Sequence, residues 1–218
     1  MSKVQVAVID YGLSNTFSIK KALESLGAQV NITHKKEKIL GAQAVVLPGV
    51  GAFEVGMKNI CEFGLVDCLK EFVTSGRPIL GICLGMQLFL SRSEEGGIYK
   101  GLDFIKGTVT RLKENPQNLK IPHIGWNMIK FLKPGSSNDD RWSCVIVEGI
   151  PDASFVYFVH SYVPVLNEPK YVTALTEYGE NQFCSILKKG NIMGCQFHPE
   201  LSGAIGLKIL KNFLSYIH

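Results

Sequence analysis

The chain has 218 residues, 46% hydrophobic and 19% charged, which suits one large or two small globular domains and excludes disorder, collagen or coiled coil as a global description. Lys and Arg number 23 against 19 Asp and Glu; the resulting net charge of +4 is scattered along the chain and is no nucleic-acid footprint. The apolar run 78–90 spans 13 residues and contains Gln87, too short for a bilayer, and no signal-peptide layout precedes the first apolar segment, so a cytoplasmic protein is expected.

Residues 3–10 are apolar and β-branched, and predict a strand that ends at Tyr11-Gly12. Ser14 or Asn15 can cap a helix whose stripe is Ile19, Ala22, Leu23 and Leu26, with Gly27 as the stop. Strands are expected over 29–33 and 42–47, the second ending at Pro48-Gly49. The lysines at 35, 36 and 38 between them read as a solvated helix or loop face. Helical patterns cover 54–63 and 65–74, and Gly76 leads into a short apolar strand over 78–82. Such alternation predicts buried parallel strands joined by crossover helices.

The second half differs. Strand-like segments at 108–112, 127–132, 143–147, 155–159, 171–177 and 183–187 lie close together, with turns at Pro134-Gly135, Tyr178-Gly179 and Lys189-Gly190. They predict antiparallel strands added to the parallel sheet. The polar stretch 133–141 reads as a surface loop, and 192–197 as a further strand. A last helix over 202–216 carries Ile205, Ile209, Leu210, Phe213, Leu214 and Ile217 on its apolar face. The expected fold class is α/β, a mostly parallel central sheet flanked by helices with added antiparallel strands, in a single domain over 1–218.

Gly81-Ile82-Cys83-Leu84-Gly85 joins an apolar strand to a helical pattern over 86–90. It is a nucleophile elbow with Cys where hydrolases carry Ser. Glycines permit the tight turn, a helix N-terminus favours thiolate, and the Leu84 amide can donate to an oxyanion. None of the six cysteines forms a Cys-x-x-Cys pair, so no disulfide framework is expected. The five other than Cys83 fit buried small hydrophobes.

A cysteine nucleophile needs a base, and the base an orienter. His34 and His218 read as surface. His198 closes the strand 192–197 in Gln196-Phe197-His198-Pro199-Glu200, at the end of the sheet where α/β sites lie. Glu200 can hold its tautomer. Pro48-Gly49-Val50-Gly51 follows another apolar strand, and its backbone is a candidate second oxyanion donor. No metal cluster or phosphate loop stands out, and Gly96-Gly97 reads as a turn.

Together these segments resemble the triad-type (class I) glutamine amidotransferases and are most similar to the glutaminase subunits of imidazole glycerol phosphate synthases. The narrower likeness lies in Asp10-Tyr11-Gly12 with Asn15, in Ile121-Pro122-His123-Ile124-Gly125-Trp126-Asn127, and in Phe158-Val159-His160-Ser161-Tyr162. It implies a flavodoxin-like fold and glutamine hydrolysis by Cys83, His198 and Glu200, with an oxyanion hole from the backbone of Leu84, Gly49, Val50 and Gly51. It implies glutamine contacts at Gln87, Ser161 and Tyr162, no cofactor, and a partner face at Tyr11, Asn15, His123 and Trp126. The partner would be a (β/α)8-barrel cyclase of histidine synthesis that receives the ammonia, and its binding would flip the Gly49-Val50 peptide. His160 reads as structural. Ser14 and Leu201 depart from the subgroup, which usually has Gly and Lys there. A glutaminase feeding another synthase, or a silent regulatory protein of amidotransferase fold, therefore stays open.

Overall fold

The strands Gln5–Ile9 and Ala44–Leu47 carry apolar residues on both faces, and the fold uses both. The computed structural model describes residues 3–13, 15–114, 120–132 and 144–217. Strands β1 (Gln5–Ile9), β2 (Gln29–Thr33) and β3 (Ala44–Leu47) alternate with helices α1 (Thr16–Ser25) and α2 (Lys36–Leu40). Helices α3 (Phe53–Glu62) and α4 (Leu65–Thr74) then lead to β4 (Ile79–Ile82), α5 (Leu84–Leu88), β5 (Leu90–Ser93), β6 (Tyr99–Lys100) and β7 (Ile105–Arg111). The rest comprises β8 (His123–Phe131), β9 (Ser154–His160), β10 (Tyr162–Leu166), β11 (Val172–Tyr178), β12 (Asn181–Lys189), β13 (Ile192–Cys195) and α6 (Gly203–Ser215).

One nine-stranded sheet runs in the order β2-β1-β3-β4-β13-β12-β11-β8-β9. Its first five strands pair in parallel and the last four antiparallel, as the change of pattern along the chain predicts. A smaller sheet, β10-β7-β5-β6, packs beside it. Successive residues of one strand serve opposite cores. Val6, Val8, Ala44 and Val46 join α1 and α6 on one side. Ala7, Ile9, Val45 and Leu47 join α2, α3 and α4 on the other. Burial on both faces explains why these strands read as continuous apolar runs.

Several expectations need correction. Of the segment 143–147, residues Val145–Val147 form a 3-10 turn, not a strand. Ile146 is buried, and Asn212 of α6 donates to the carbonyls of Ile146 and Glu148 at 3.2 and 2.8 Å, which holds the turn. The helix after Cys83 spans Leu84–Leu88, and Leu90 already belongs to β5. Cys61 is exposed rather than buried; Cys68, Cys144, Cys184 and Cys195 are buried and free. Ser14, the loop 133–141 and His218 lie outside the described residues. Among the described residues no helix is long and apolar enough to cross a membrane.

The outer edge of β9 is not open. The His198 amide donates to the Tyr157 carbonyl at 2.9 Å, and the Tyr157 amide donates to Ser202 Oγ at 2.9 Å. The segment that carries the candidate base is thereby fastened to the edge strand.

Candidate active site

Strand β4 lies between β3 and β13, and the chain turns sharply where it ends. Cys83 sits at φ 53°, ψ −110°, a conformation that non-glycine residues seldom adopt and that is held at functional sites by its surroundings. The surroundings are tight. A Cβ on Gly85 would lie 2.7 Å from the carbonyl carbon of Leu47, and one on Gly81 2.7 Å from the Met86 backbone. Both flanking positions therefore require glycine, because the turn presses the start of α5 against β3 and β4.

Parallel pairing places Cys195 of β13 beside Ile82 of β4, and the Cys83 amide donates to the Cys195 carbonyl at 2.8 Å. Pairing thus carries the residues just past β13 to the elbow. His198 Nδ1 meets Glu200 Oε1 at 2.8 Å, and the two side chains are only 4% and 2% exposed. A carboxylate accepts only, so the shared proton rides on Nδ1. His198 Nε2 and Glu200 Oε2 are buried and make no hydrogen bond of their own. Burial is the largest influence on His198 and lowers its pKa. Interaction with the Cys83 sulfur, and the hydrogen bond and negative charge of Glu200, together outweigh it and push the pKa up to about 10. The carboxylate and the sulfur on its two sides thus both favour the protonated ring.

A cavity of about 230 Å³ opens over Cys83. Its walls are Val50 and Gly51, Leu84 and Gln87 of α5, Glu95, Pro122, and Val159 to Tyr162. Gln87, Ser161 and Tyr162, singled out from the sequence, are brought together here with Cys83. Gln87 Nε2 donates to the Tyr162 carbonyl at 2.9 Å and to Gln196 Oε1 at 3.0 Å.

The expected oxyanion donors point elsewhere in this conformation. The Leu84 amide donates to the Gly49 carbonyl at 3.3 Å, and the Val50 amide to the Leu13 carbonyl at 2.8 Å. The hole read from the sequence is therefore filled by a carbonyl of its own loop. Exchanging the Gly49 carbonyl for the Val50 amide needs a rotation of the single peptide between them.

The expected partner face divides in two. Tyr11 is fully buried and its hydroxyl donates to the Pro48 carbonyl at 2.8 Å. His123 is buried too, stacked on Tyr178 at a ring distance of 3.9 Å. Neither side chain is at the surface: Tyr11 packs under the Pro48 loop after β1, and His123 lies on the inward face of β8. Trp126 and Ile124 on its other face are more than half exposed. Asn15 is exposed and caps α1, its Oδ1 accepting from the Ser18 amide at 3.5 Å.

Comparison with known proteins identifies the arrangement. The family model for class-I glutamine amidotransferases matches residues 7–216. The chain belongs to the class-I glutamine amidotransferase family. It is 47% identical over 212 residues to the imidazole glycerol phosphate synthase subunit HisH of Methanosarcina barkeri, covering 96% of this chain and 98% of the relative. It is 46% identical over 208 residues to the HisH subunit of Moorella thermoacetica, covering 95% and 93%. Among solved structures, the fold matches PurLQS from Thermotoga maritima with a TM-score of 0.71 at 18% identity, over 100% of both chains. It also matches a glutamine amidotransferase of Thermotoga maritima with a TM-score of 0.57 at 19% identity, over 96% of this chain and 81% of that one.

Three features of this amidotransferase site have no signature in the sequence. Glu95 lines the cavity and its Oε2 accepts the Phe53 amide at 2.8 Å, capping α3. Gln196, buried two residues before His198, reaches Cys83 Sγ at 3.6 Å. A buried histidine pair lies behind the cavity wall: His123 Nδ1 meets His160 Nε2 at 3.2 Å, and His160 Nδ1 meets the Tyr162 carbonyl at 3.0 Å. A carbonyl cannot donate, so His160 holds its proton on Nδ1 and accepts at Nε2. Burial pushes the pKa of His123 down to about 4, and burial with the neighbouring His123 charge pushes that of His160 down to about 3. No sequence pattern announces these contacts, since all but the His160–Tyr162 bond join residues far apart in the chain.

Proposed function

We propose that this chain is the glutaminase subunit of an imidazole glycerol phosphate synthase. It hydrolyses glutamine to glutamate and ammonia, and it passes the ammonia to a (β/α)8-barrel cyclase. The observation that carries the chemistry is the strained Cys83 beside a His198 that Glu200 and Cys83 keep charged. The acceptor rests on HisH relatives that share 46–47% of their residues with this chain.

In this reading the Cys83 thiolate attacks the side-chain carboxamide carbon of glutamine. The carbonyl oxygen takes the negative charge. His198 gives its Nε2 proton to the departing nitrogen as the tetrahedral adduct collapses to a thioester and ammonia. The neutral ring then takes a proton from water, which attacks the thioester and releases glutamate and the thiolate. Glu200 fixes the imidazole tautomer and balances its charge throughout. Glu95 gives the cavity a negative wall for the α-ammonium of a free amino acid. The bonded Leu84 and Val50 amides correspond to a resting state. Partner binding would rotate the 49–50 peptide and free Leu84 N–H and Val50 N–H for the oxyanion. Exposed Ile124, Trp126 and Leu201 supply an apolar partner face.

The test is turnover of the chain mixed with its cyclase. Cys83→Ala should remove glutamine-dependent product formation by about four orders of magnitude or more while ammonium-dependent formation survives. Loss of both activities in an intact complex, or retention of glutamine turnover, would overturn the proposal.

A further inference from the structure

Gln196 is fully buried between two groups of the site, and its orientation can be deduced rather than assumed. The deduction starts at the Tyr162 carbonyl, which has two lone pairs and no proton. It accepts from His160 Nδ1 at 3.0 Å and from Gln87 Nε2 at 2.9 Å. Gln87 must therefore present its NH2 group on this side. The same NH2 group reaches Gln196 Oε1 at 3.0 Å, which uses its second hydrogen. The Gln196 carbonyl is thus occupied, and its NH2 group is left to face Cys83 Sγ at 3.6 Å, within hydrogen-bonding range for sulfur. Turning Gln196 over would set two NH2 groups against each other. The sulfur's own acceptor is the Val159 carbonyl at 3.8 Å, which favours a protonated thiol.

We propose that Gln196 is a further catalytic residue: its side-chain N–H donates to the Cys83 sulfur and stabilises the thiolate. The donor acts whenever the sulfur is anionic, before attack and again as the thioester is hydrolysed. Gln87 and Tyr162 hold the amide in the donating orientation, so the wall that receives the substrate also aims the group that steadies the nucleophile. His198 balances the sulfur's charge as well, and Gln196 does so without a proton to lose. Its bond is therefore the same before and after each proton transfer. The inference rests on the glutaminase reading only for its place in the reaction; the sulfur contact itself can be tested without turnover.

The test reads the thiolate directly, by the pH dependence of Cys83 alkylation with iodoacetamide in the full chain. Cys61 is the exposed cysteine and is replaced by Cys61→Ser in every sample. Cys68, Cys144, Cys184 and Cys195 are buried, and burial pushes their thiols up, so they stay silent. Peptide mapping then follows Cys83 alone. Gln196→Met keeps the volume and removes the donor. It should raise the alkylation midpoint by about one pH unit, a tenfold slower reaction on the acid side. Gln196→Glu keeps the bond to Gln87 but sets an acceptor against the sulfur, and should raise the midpoint further. In the complex with cyclase, Gln196→Glu, which keeps the bond to Gln87, should lower kcat for glutamine at least about tenfold with KM unchanged. A purely structural role would move the urea midpoint and leave the alkylation midpoint in place. An unchanged alkylation midpoint in either folded variant overturns the proposal. Failure of the wild-type complex to use glutamine would instead overturn the glutaminase reading and leave the alkylation result standing.

Discussion

Replacing Gly49 with alanine would drive a methyl group onto the Tyr11 hydroxyl, well inside contact distance, and to 2.9 Å from Leu84 Cβ. Tyr11 cannot swing aside cheaply, since it is fully buried and donates to the Pro48 carbonyl at 2.8 Å. Gly49→Ala should therefore cost about 1–3 kcal/mol of overpacking. Displacing the hydroxyl strands a buried carbonyl and adds about 1–3 kcal/mol. Tyr11→Phe alone should cost only the second amount. Combining the two removes the obstructing oxygen, and the carbonyl is lost only once. The double variant should then be more stable than the sum of the single effects by about 2–6 kcal/mol, the overpacking and one carbonyl loss together, against an additivity error of about 0.5 kcal/mol. Urea unfolding of the four proteins with a shared slope measures the cycle. Additive effects would refute the claim that Gly49 is small because Tyr11 Oη occupies its side-chain space.

Other consequences can be measured on the same chain. Glu200→Gln keeps the shape at His198 but removes one of the charges that raise it, so glutamine turnover of the complex should fall by about 10²–10⁴; near-normal steady-state kinetics would contradict the orienting role. Phe158 is fully buried, 4.9 Å from the His123 ring and 5.7 Å from those of Phe183 and Phe197. Phe158→Ala should cost about 3–5 kcal/mol in urea, and a loss under about 1 kcal/mol would deny it that place. His123 and His160 titrate near 4 and 3 in the fold against an ordinary 6.5, so the unfolded chain binds their protons first as pH falls. Their contribution is whole above pH 6.5 and is lost on the way down to about 3. His198 has the opposite sign: its contribution is whole below pH 6.5 and is lost as pH rises through about 10. Thermal unfolding across pH should show both flanks, and stability that is flat between pH 6.5 and 4 would exclude the neutral histidine pair.

Much of the site was legible because its constraints are local. Gly81 must stay small because of Met86, five residues on, and Glu200 stands two residues from His198; the demand on Gly85 comes from Leu47 of β3, but the glycine itself marks the turn. The parallel strands were readable because burial on both faces leaves an uninterrupted apolar run. Strand β10 escaped, since Pro164 interrupts it and its pairing partner β7 lies fifty residues back. Val145–Val147 has the composition of a strand, yet packing under α6 and the Asn212 side chain decide for a 3-10 turn. The inward face of His123 was missed for a similar reason: alternation is readable, but which face meets the core depends on β9 and on Tyr178. Gln196, Gln87 and Tyr162 converge only through tertiary structure.

The fastening of the His198 segment to β9 has a mechanical meaning. Ser202 Oγ accepts from the Tyr157 amide and donates to the His198 carbonyl at 2.6 Å, while the His198 amide holds the Tyr157 carbonyl. Both backbone groups of one edge residue are thus clamped by the loop that carries the proposed base. A strand edge left bare invites pairing with another chain, and here the loop blunts it. The clamp also makes the edge and the base one rigid lever. Strand β8, with Trp126 on its exposed face, pairs with β9 directly opposite Tyr157. A push on that face travels one strand and two hydrogen bonds to reach the imidazole. The Tyr157 amide is accordingly a gauge of that fastening: its exchange with solvent deuterium reports whether Ser202 still ties the His198 segment to the sheet.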